Sequence, residues 1–86
     1  MNRKLHVGNL ASSVTDQDLS DKFGRFGTVA YATIMKDDIS GASRGFGFVE
    51  MSDSNGANQA VKWLNFSSHE GQIMSVSLVD DSQAVH

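Results

Sequence analysis

The fold of this chain is decided by one stretch, Arg44-Gly45-Phe46-Gly47-Phe48-Val49-Glu50-Met51. In a β-strand, successive side chains point to opposite faces of the sheet. One face of this strand would carry the longer side chains, those of Arg44, Phe46, Phe48 and Glu50. The other face would carry small or apolar side chains, which suit a packed interior, at Gly45, Gly47, Val49 and Met51.

The two phenylalanine rings lie on the face that would otherwise be polar and solvated. A soluble protein gains little from exposed rings there unless something flat stacks on them. Every nucleobase has a π-face, and its phosphate would pair with the cation at Arg44. The alternative is that another element or a partner buries this face. The stretch therefore favours a surface that stacks nucleobases.

A second stretch, Leu5-His6-Val7-Gly8-Asn9-Leu10, alternates in the same way and directs His6 outward. Residues 44–51 resemble the ribonucleoprotein octapeptide of the RNA recognition motif (RRM) family, and residues 5–10 resemble its partner hexapeptide. The chain departs from the octapeptide at Met51, where the family has Phe or Tyr on the core side and Met fills the space adequately. It departs from the hexapeptide at His6, whose ring can still stack. The resemblance covers roughly residues 4–79.

The composition describes a small acidic chain. Seven Lys and Arg face ten Asp and Glu among 86 residues, for a formal net charge of −3, and cysteine is absent. The lack of cysteine excludes a disulfide scaffold, a thiolate metal site and thiol catalysis. No apolar run reaches the length of a membrane span, so we expect one intracellular domain over residues 1–86, cytoplasmic or nuclear. Nucleic-acid binding by an acidic chain requires local placement of its cations, because non-specific affinity comes mostly from phosphate neutralisation.

Alternating stretches predict three strands besides the octapeptide: 4–8, 30–36 and Ile73 to Val79. Thr15, with Asp18 three residues later, forms a variant capping box for a helix that ends near Gly24. A second helix is predicted by apolar residues at helical spacing, Ala57, Ala60, Val61 and Leu64. The order β-α-β-β-α-β predicts an α+β, two-layer sandwich with both helices on one face of a four-stranded antiparallel sheet. This is the ferredoxin-like architecture of the RRM.

The resemblance implies the strand order 4-1-3-2, which places the hexapeptide and octapeptide strands side by side at the centre of the sheet. Alternation then assigns the open face of each strand. The central strands would present His6, Arg44, Phe46, Phe48 and Glu50, the second strand Tyr31, Thr33 and Met35, and the fourth strand Ser75 and Ser77.

Charged and polar side chains at the border of this face are further candidates for RNA contact. Arg3, Lys4 and Lys36 are expected near phosphates, and Asn9 either closes a turn or touches RNA. Glu50 either accepts a hydrogen bond from a base amino group or pairs with Arg44, the interpretation that we favour.

Rival functions fit less well. The same architecture hosts acylphosphatases, but these need an arginine-bearing phosphate loop after the first strand, and residues 8–13 contain no cation. His6 and His69 lack the spacing of a metal site. We therefore expect neither an enzyme nor a bound metal or cofactor. The alternative is an RRM-like protein–protein interaction module, but such modules generally lose or cover the octapeptide rings. Binding of single-stranded RNA, or of single-stranded DNA, is the function that we expect.

Two features fall outside this scheme. The family usually has Gly where this chain has Phe66. The Trp63 and Phe66 rings either pack on each other and on the loop to strand four, or form a protein-contact patch away from the RNA face. We otherwise expect a monomer. The polar tail 80–86 begins with Asp80 and Asp81, whose carboxylates should weaken RNA binding at the end of the fourth strand.

Overall fold

A computed structural model describes residues 3–79 of the chain. It contains two helices, α1 (Asp16–Phe23) and α2 (Ser54–Leu64), and six strands. One strand precedes α1, two lie between the helices and three follow α2. The strands are β1 (Lys4–Gly8), β2 (Val29–Lys36), β3 (Ser43–Met51), β4 (Ser68–His69), β5 (Gln72–Ile73) and β6 (Ser75–Leu78). The tail predicted at 80–86, with its aspartate pair, lies outside the described residues. Among residues 3–79, no helix has the length and apolar character that a bilayer crossing requires.

The main sheet has four strands in the order β2-β3-β1-β6. Every neighbouring pair in it is antiparallel. With β6 counted as the fourth strand of the motif, this is the predicted order 4-1-3-2. The hexapeptide and octapeptide strands are adjacent, with His6 directly opposite Phe48 in the register. The predicted α+β sandwich is confirmed.

Helix α1 begins where its capping box predicts. The Thr15 side chain accepts from the Asp18 backbone N–H at 3.1 Å, and the Asp18 carboxylate accepts from the Thr15 N–H at 3.0 Å. The two bonds satisfy N–H groups that the first turn of a helix leaves unpaired. Asp16 accepts from the Ile34 N–H at 2.7 Å, which ties the start of α1 to strand β2.

The core lies between the helices and the inner face of the sheet. Leu5 and Val7 of β1 are fully buried, as are Val49 and Met51 of β3, so alternation assigned the inner side of both strands correctly. Phe23 of α1 is also fully buried. With the inner sides of these strands committed to the core, their outer sides are covered by neither of the two helices in residues 3–79.

The prediction for the last strand was wrong at its start. Ile73 does not open β6 but belongs to a short hairpin, in which it pairs with Ser68. Glu70 and Gly71 between the hairpin strands have positive φ values, 54° and 79°, the conformation that a tight two-residue hairpin turn requires. Strand β6 therefore begins at Ser75, and Ile73 is left 57% exposed.

Candidate nucleic-acid interface

The outer face of the sheet is organised in rows of side chains that cross the strands. A central row consists of Ser77, His6, Phe48 and Thr33, in which each residue stands opposite the next. A second row, closer to the start of β1, consists of Lys4, Glu50 and Tyr31. Residues expected on this face from four separate segments of the chain are thus brought together by the register.

Three rings form a cluster in the middle of this face. The His6 and Phe46 rings are stacked, with centroids 5.4 Å apart and planes 26° apart. Phe48 meets both of them edge-on, with its centroid 5.5 Å from that of His6 and 6.1 Å from that of Phe46. These separations are typical of favourable aromatic pairs, so each ring is oriented by the other two. All three rings remain only half-buried, and their accessible surfaces form a preorganised platform. We call these three residues the ring cluster.

Two glycines in the central strands permit close approaches that a side chain would prevent. At Gly47, between the two phenylalanines, a Cβ would collide with the backbone oxygen of Thr33 on β2. At Gly8, a Cβ would stand 2.8 Å from the Ser75 hydroxyl and 3.3 Å from the His6 ring. Glycine at the first position allows β2 and β3 to approach, and at the second it leaves space for the His6 ring.

The charges around the ring cluster differ in part from those expected. Glu50 was predicted to pair with Arg44, but its carboxylate lies 3.8 Å from the guanidinium of Arg3. The reason is register: Glu50 stands opposite Lys4, so the residue before Lys4 reaches it across the strand boundary. Arg44 is exposed at the start of β3. Lys4 extends over Phe48, with its Nζ 5.1 Å from the ring centroid.

The outer strands complete the face with side chains that are open to solvent. Ser75 and Ser77 are exposed on β6, as are Tyr31, Met35 and Lys36 on β2, whereas Thr33 is half-buried. The predicted positions of Tyr31, Thr33, Ser75 and Ser77 on the open face are consistent with the strand register, which shifts between Ile34 and Lys36, where Met35 lies. Tyr31 and Met35 lie on an edge strand, from which a bound chain could continue beyond the ring cluster.

Asn9 takes the turn role of the two that were expected. Its backbone adopts the left-handed conformation, with φ 58°. Its side-chain amide donates to the carbonyl oxygen of Ile73 at 2.7 Å. Asn9 thus anchors the β4–β5 hairpin to the end of β1 through an N–H of its side-chain amide.

The helical side carries a separate set of features. A groove of about 360 Å³ lies between α1, the end of α2 and the hairpin, lined by Asp18, Asp21, Lys22, Arg25, Phe26, Leu64 and His69. In it, the ammonium of Lys22 lies 3.2 Å from Nδ1 of His69. This groove is on the side of the sheet opposite the ring cluster. Within residues 3–79, no group of three or more His, Asp or Glu side chains is placed to hold a metal ion.

Trp63 and Phe66 lie near this groove and are 61% and 76% exposed. One alternative was that these two rings pack on each other. Among residues 3–79, the Trp63 and Phe66 rings make no such contact. The chain leaves the helical path at Asn65, which has extended dihedrals, so the spacing of three residues no longer aligns the two rings. Phe66 itself has φ 67°, the left-handed region, which explains why glycine is usual at this position of the family.

Two contacts of the candidate site were missed by sequence reasoning, that of Lys4 with Phe48 and that of Arg3 with Glu50. Lys4 shares its face with His6, two residues away, but its position over Phe48 depends on the path of a flexible side chain. The pairing of Arg3 with Glu50 depends on register across strands, which local sequence does not specify. Gly8 could have been noticed, because it is a residue without a side chain at an outward position of the hexapeptide.

Comparison with known proteins agrees with this geometry. A family model described as RNA recognition motif matches residues 5–72. Glycine-rich RNA-binding protein 4, mitochondrial, of Arabidopsis thaliana is 38% identical over 81 residues, which cover 94% of this chain and 60% of that protein. The chain spans between 10% and 60% of the length of the first curated relatives that it matches.

Solved structures show the same fold. The crystal structure of RNA Binding Protein PG1 superposes with a TM-score of 0.87 at 36% identity, covering 90% of this chain and 93% of the other. A complex of SXL-lethal protein with RNA superposes with a TM-score of 0.84 at 34% identity, covering 90% of this chain and 47% of the other. Because the family model matches most of the chain and the sheet presents both motifs on its open face, the chain belongs to the RNA recognition motif family.

Proposed function

We propose that this domain binds single-stranded RNA by stacking bases on the ring cluster. One observation carries the proposal: three aromatic rings lie within 6.1 Å of one another on a sheet face that neither α1 nor α2, the helices of the described part of the chain, covers. An apolar face of this kind gains free energy when flat bases cover it, and stacking accepts any base. Family membership supports the same conclusion, as do the names of the relatives.

The surrounding side chains have roles that follow from their chemistry. Arg44 and Lys36 are cations at the ends of the hairpin between β2 and β3, where they can reach phosphates. Thr33, Ser75 and Ser77 offer hydroxyl groups that both donate and accept hydrogen bonds. Tyr31 and Met35 add apolar surface on the edge strand. One oxygen of the Glu50 carboxylate lies 3.8 Å from the Arg3 guanidinium, so a base amino group would compete with that cation for the carboxylate.

Binding rather than catalysis is the activity that we propose, without a cofactor. The ring face offers rings, hydroxyls and cations, a set suited to holding a nucleic acid. Intracellular location remains a prediction: the name of one relative places that protein in mitochondria, and that of another places it in chloroplasts.

The test is a titration of the ¹⁵N-labelled domain with pools of random single-stranded RNA, followed by amide chemical shifts. We expect the largest shifts at His6, Phe46 and Phe48 and at their neighbours on β1 and β3. Amides of α1 and α2 serve as the internal control, because they lie behind the sheet. A titration that moves only helical amides, or none, would contradict the proposal. The same experiment with single-stranded DNA shows whether the 2′-hydroxyl matters.

A second candidate function is protein contact through Trp63 and Phe66. Two observations favour it: both rings are mostly exposed, and Phe66 holds a left-handed backbone conformation that is unfavourable for a residue with a side chain. An exposed Phe66 ring buries little apolar surface, so it contributes little stability to offset the backbone strain. Sedimentation of the wild type and of Trp63→Ser tests whether the patch mediates self-association. We expect both to sediment as monomers, and a wild-type dimer that Trp63→Ser abolishes would show that the patch binds a second copy of the chain.

A further inference from the structure

Lys4 is placed to contact a base, although a cation beside the sheet would ordinarily be assigned to phosphate. Its Nζ lies 5.1 Å from the centroid of the Phe48 ring, a distance typical of cation–π contact. A base inserted between the Phe48 ring and the ammonium would need about 3.5 Å of separation from the ring and about as much again from the ammonium. The two separations together exceed the 5.1 Å between Nζ and the ring centroid. The ammonium and the base therefore cannot occupy the ring face together, and a base that stacks there displaces Lys4 toward its own edge.

The flexible stem of lysine makes this displacement easy, since four methylene groups allow the ammonium to move while the backbone stays in the sheet. The ammonium has three donors and no acceptor. At the edge of a base it can contact a carbonyl oxygen, whereas an amino group presents hydrogen atoms toward it and repels it. Guanine and uracil carry a carbonyl where adenine and cytosine carry an amino group.

The carboxylate next to Lys4 does not offset this preference. Glu50, opposite Lys4 in the register, would accept a hydrogen bond from an amino group of adenine or cytosine. Its carboxylate is instead paired with Arg3 at 3.8 Å. Within residues 3–79, Lys4 makes no ion pair of its own, so its ammonium is available to a ligand. One oxygen of the Glu50 carboxylate thus faces Arg3, whereas the Lys4 ammonium is available.

We propose that Lys4 is a specificity-determining residue that makes the Phe48 position select guanine and uracil, with a carbonyl at C6 and C4 respectively, over adenine and cytosine, which carry an amino group there. The inference rests on the proposed function, RNA binding by the ring cluster. It assigns to Lys4 a contact with the base instead of the contact with phosphate expected from its charge. The two assignments predict different behaviour when Lys4 is replaced.

The experiment uses cytidine heptanucleotides whose central base is cytosine, uracil, adenine or hypoxanthine. Uracil and cytosine form one matched pair, and hypoxanthine and adenine form another, because each pair exchanges a carbonyl for an amino group on a similar ring. We expect the wild-type domain to bind the carbonyl member of each pair roughly 10- to 150-fold more tightly, the range of a charge-assisted hydrogen bond. Lys4→Met, which keeps most of the apolar stem, should bind both members of each pair equally. Lys4→Arg, which keeps donors, should retain the preference.

Lys36→Met provides the comparison for a cation assigned to phosphate. It should weaken all four oligonucleotides alike and make the salt dependence of binding shallower. If Lys4→Met behaves in the same way, or if it keeps the wild-type preference, Lys4 does not read the base and the inference is overturned. A wild type that binds all four oligonucleotides equally also overturns it, while leaving the proposed function intact. A wild type that binds none of them contradicts the proposed function itself.

Discussion

Removal of the Phe48 ring tests the stacking surface most directly. The ring contacts His6 edge-on at 5.5 Å and Phe46 at 6.1 Å, and it receives the Lys4 ammonium. Each base stacked on an aromatic side chain contributes about 1–3 kcal/mol by alanine substitution. Phe48→Ala should therefore lower RNA affinity roughly 5- to 150-fold, since each 1.4 kcal/mol corresponds to a factor of ten.

The fold should survive this change, because the β3 residues that build the core point the other way. Val49 and Met51, on either side of Glu50, are fully buried, whereas Phe48 is only half-buried on the outer face. The upper end of the affinity range applies if loss of the Phe48 edge also frees the His6 ring to rotate. The lower end applies if His6 and Phe46 keep their stack without it.

The assay is fluorescence anisotropy with a labelled single-stranded RNA, accompanied by an amide spectrum of each variant to establish that it is folded. Phe66→Ala is the matched control, because it makes the same Phe-to-Ala change at an exposed ring on the helical side of the domain. Its RNA affinity should equal that of the wild type. A folded variant that lacks both Phe46 and Phe48 and still binds RNA with wild-type affinity would refute the stacking argument.

Three further predictions address charge, backbone strain and pH. With about one to three cations in contact with phosphates, as we propose, the slope of log K against log salt should be roughly −0.7 to −2, and a slope steeper than about −3 would mean that a basic surface has been overlooked. Phe66→Gly should raise the free energy of unfolding by up to about 1 kcal/mol in urea titrations, because relief of the left-handed strain exceeds the added chain entropy; a loss of stability would show that the ring packs on the protein. The Asp37 carboxylate accepts from the Ser40 and Ile39 N–H groups, which lowers its pKa, so its stabilisation of the turn should be complete above the ordinary carboxyl range and be lost as pH falls below it. Asp37→Asn should flatten that acid limb of the stability curve, and an unchanged limb would exclude Asp37 as its source.

Much of the fold could be predicted from patterns among residues that are close together in the sequence. The alternation in residues 44–51 separated Val49 and Met51, which became core, from Phe46 and Phe48, which became surface. This separation holds because the pleat of a strand has a period of two residues wherever the strand is placed. The start of α1 was equally local, because Thr15 and Asp18 bond to each other's backbone and need no distant partner.

The contacts that tune the site were decided by tertiary structure. Glu50 pairs with Arg3 because the β1–β3 register brings the start of one strand to the end of the other, across a sequence separation that no pattern encodes. Lys4 lies over Phe48 through the same register together with the path of a long side chain. Ile73 belongs not to β6 but to the β4–β5 hairpin, where it pairs with Ser68, and Asn9, far away in sequence, donates to its carbonyl oxygen. Local sequence sets which face a side chain occupies, whereas its partner on that face depends on which strands the fold places side by side.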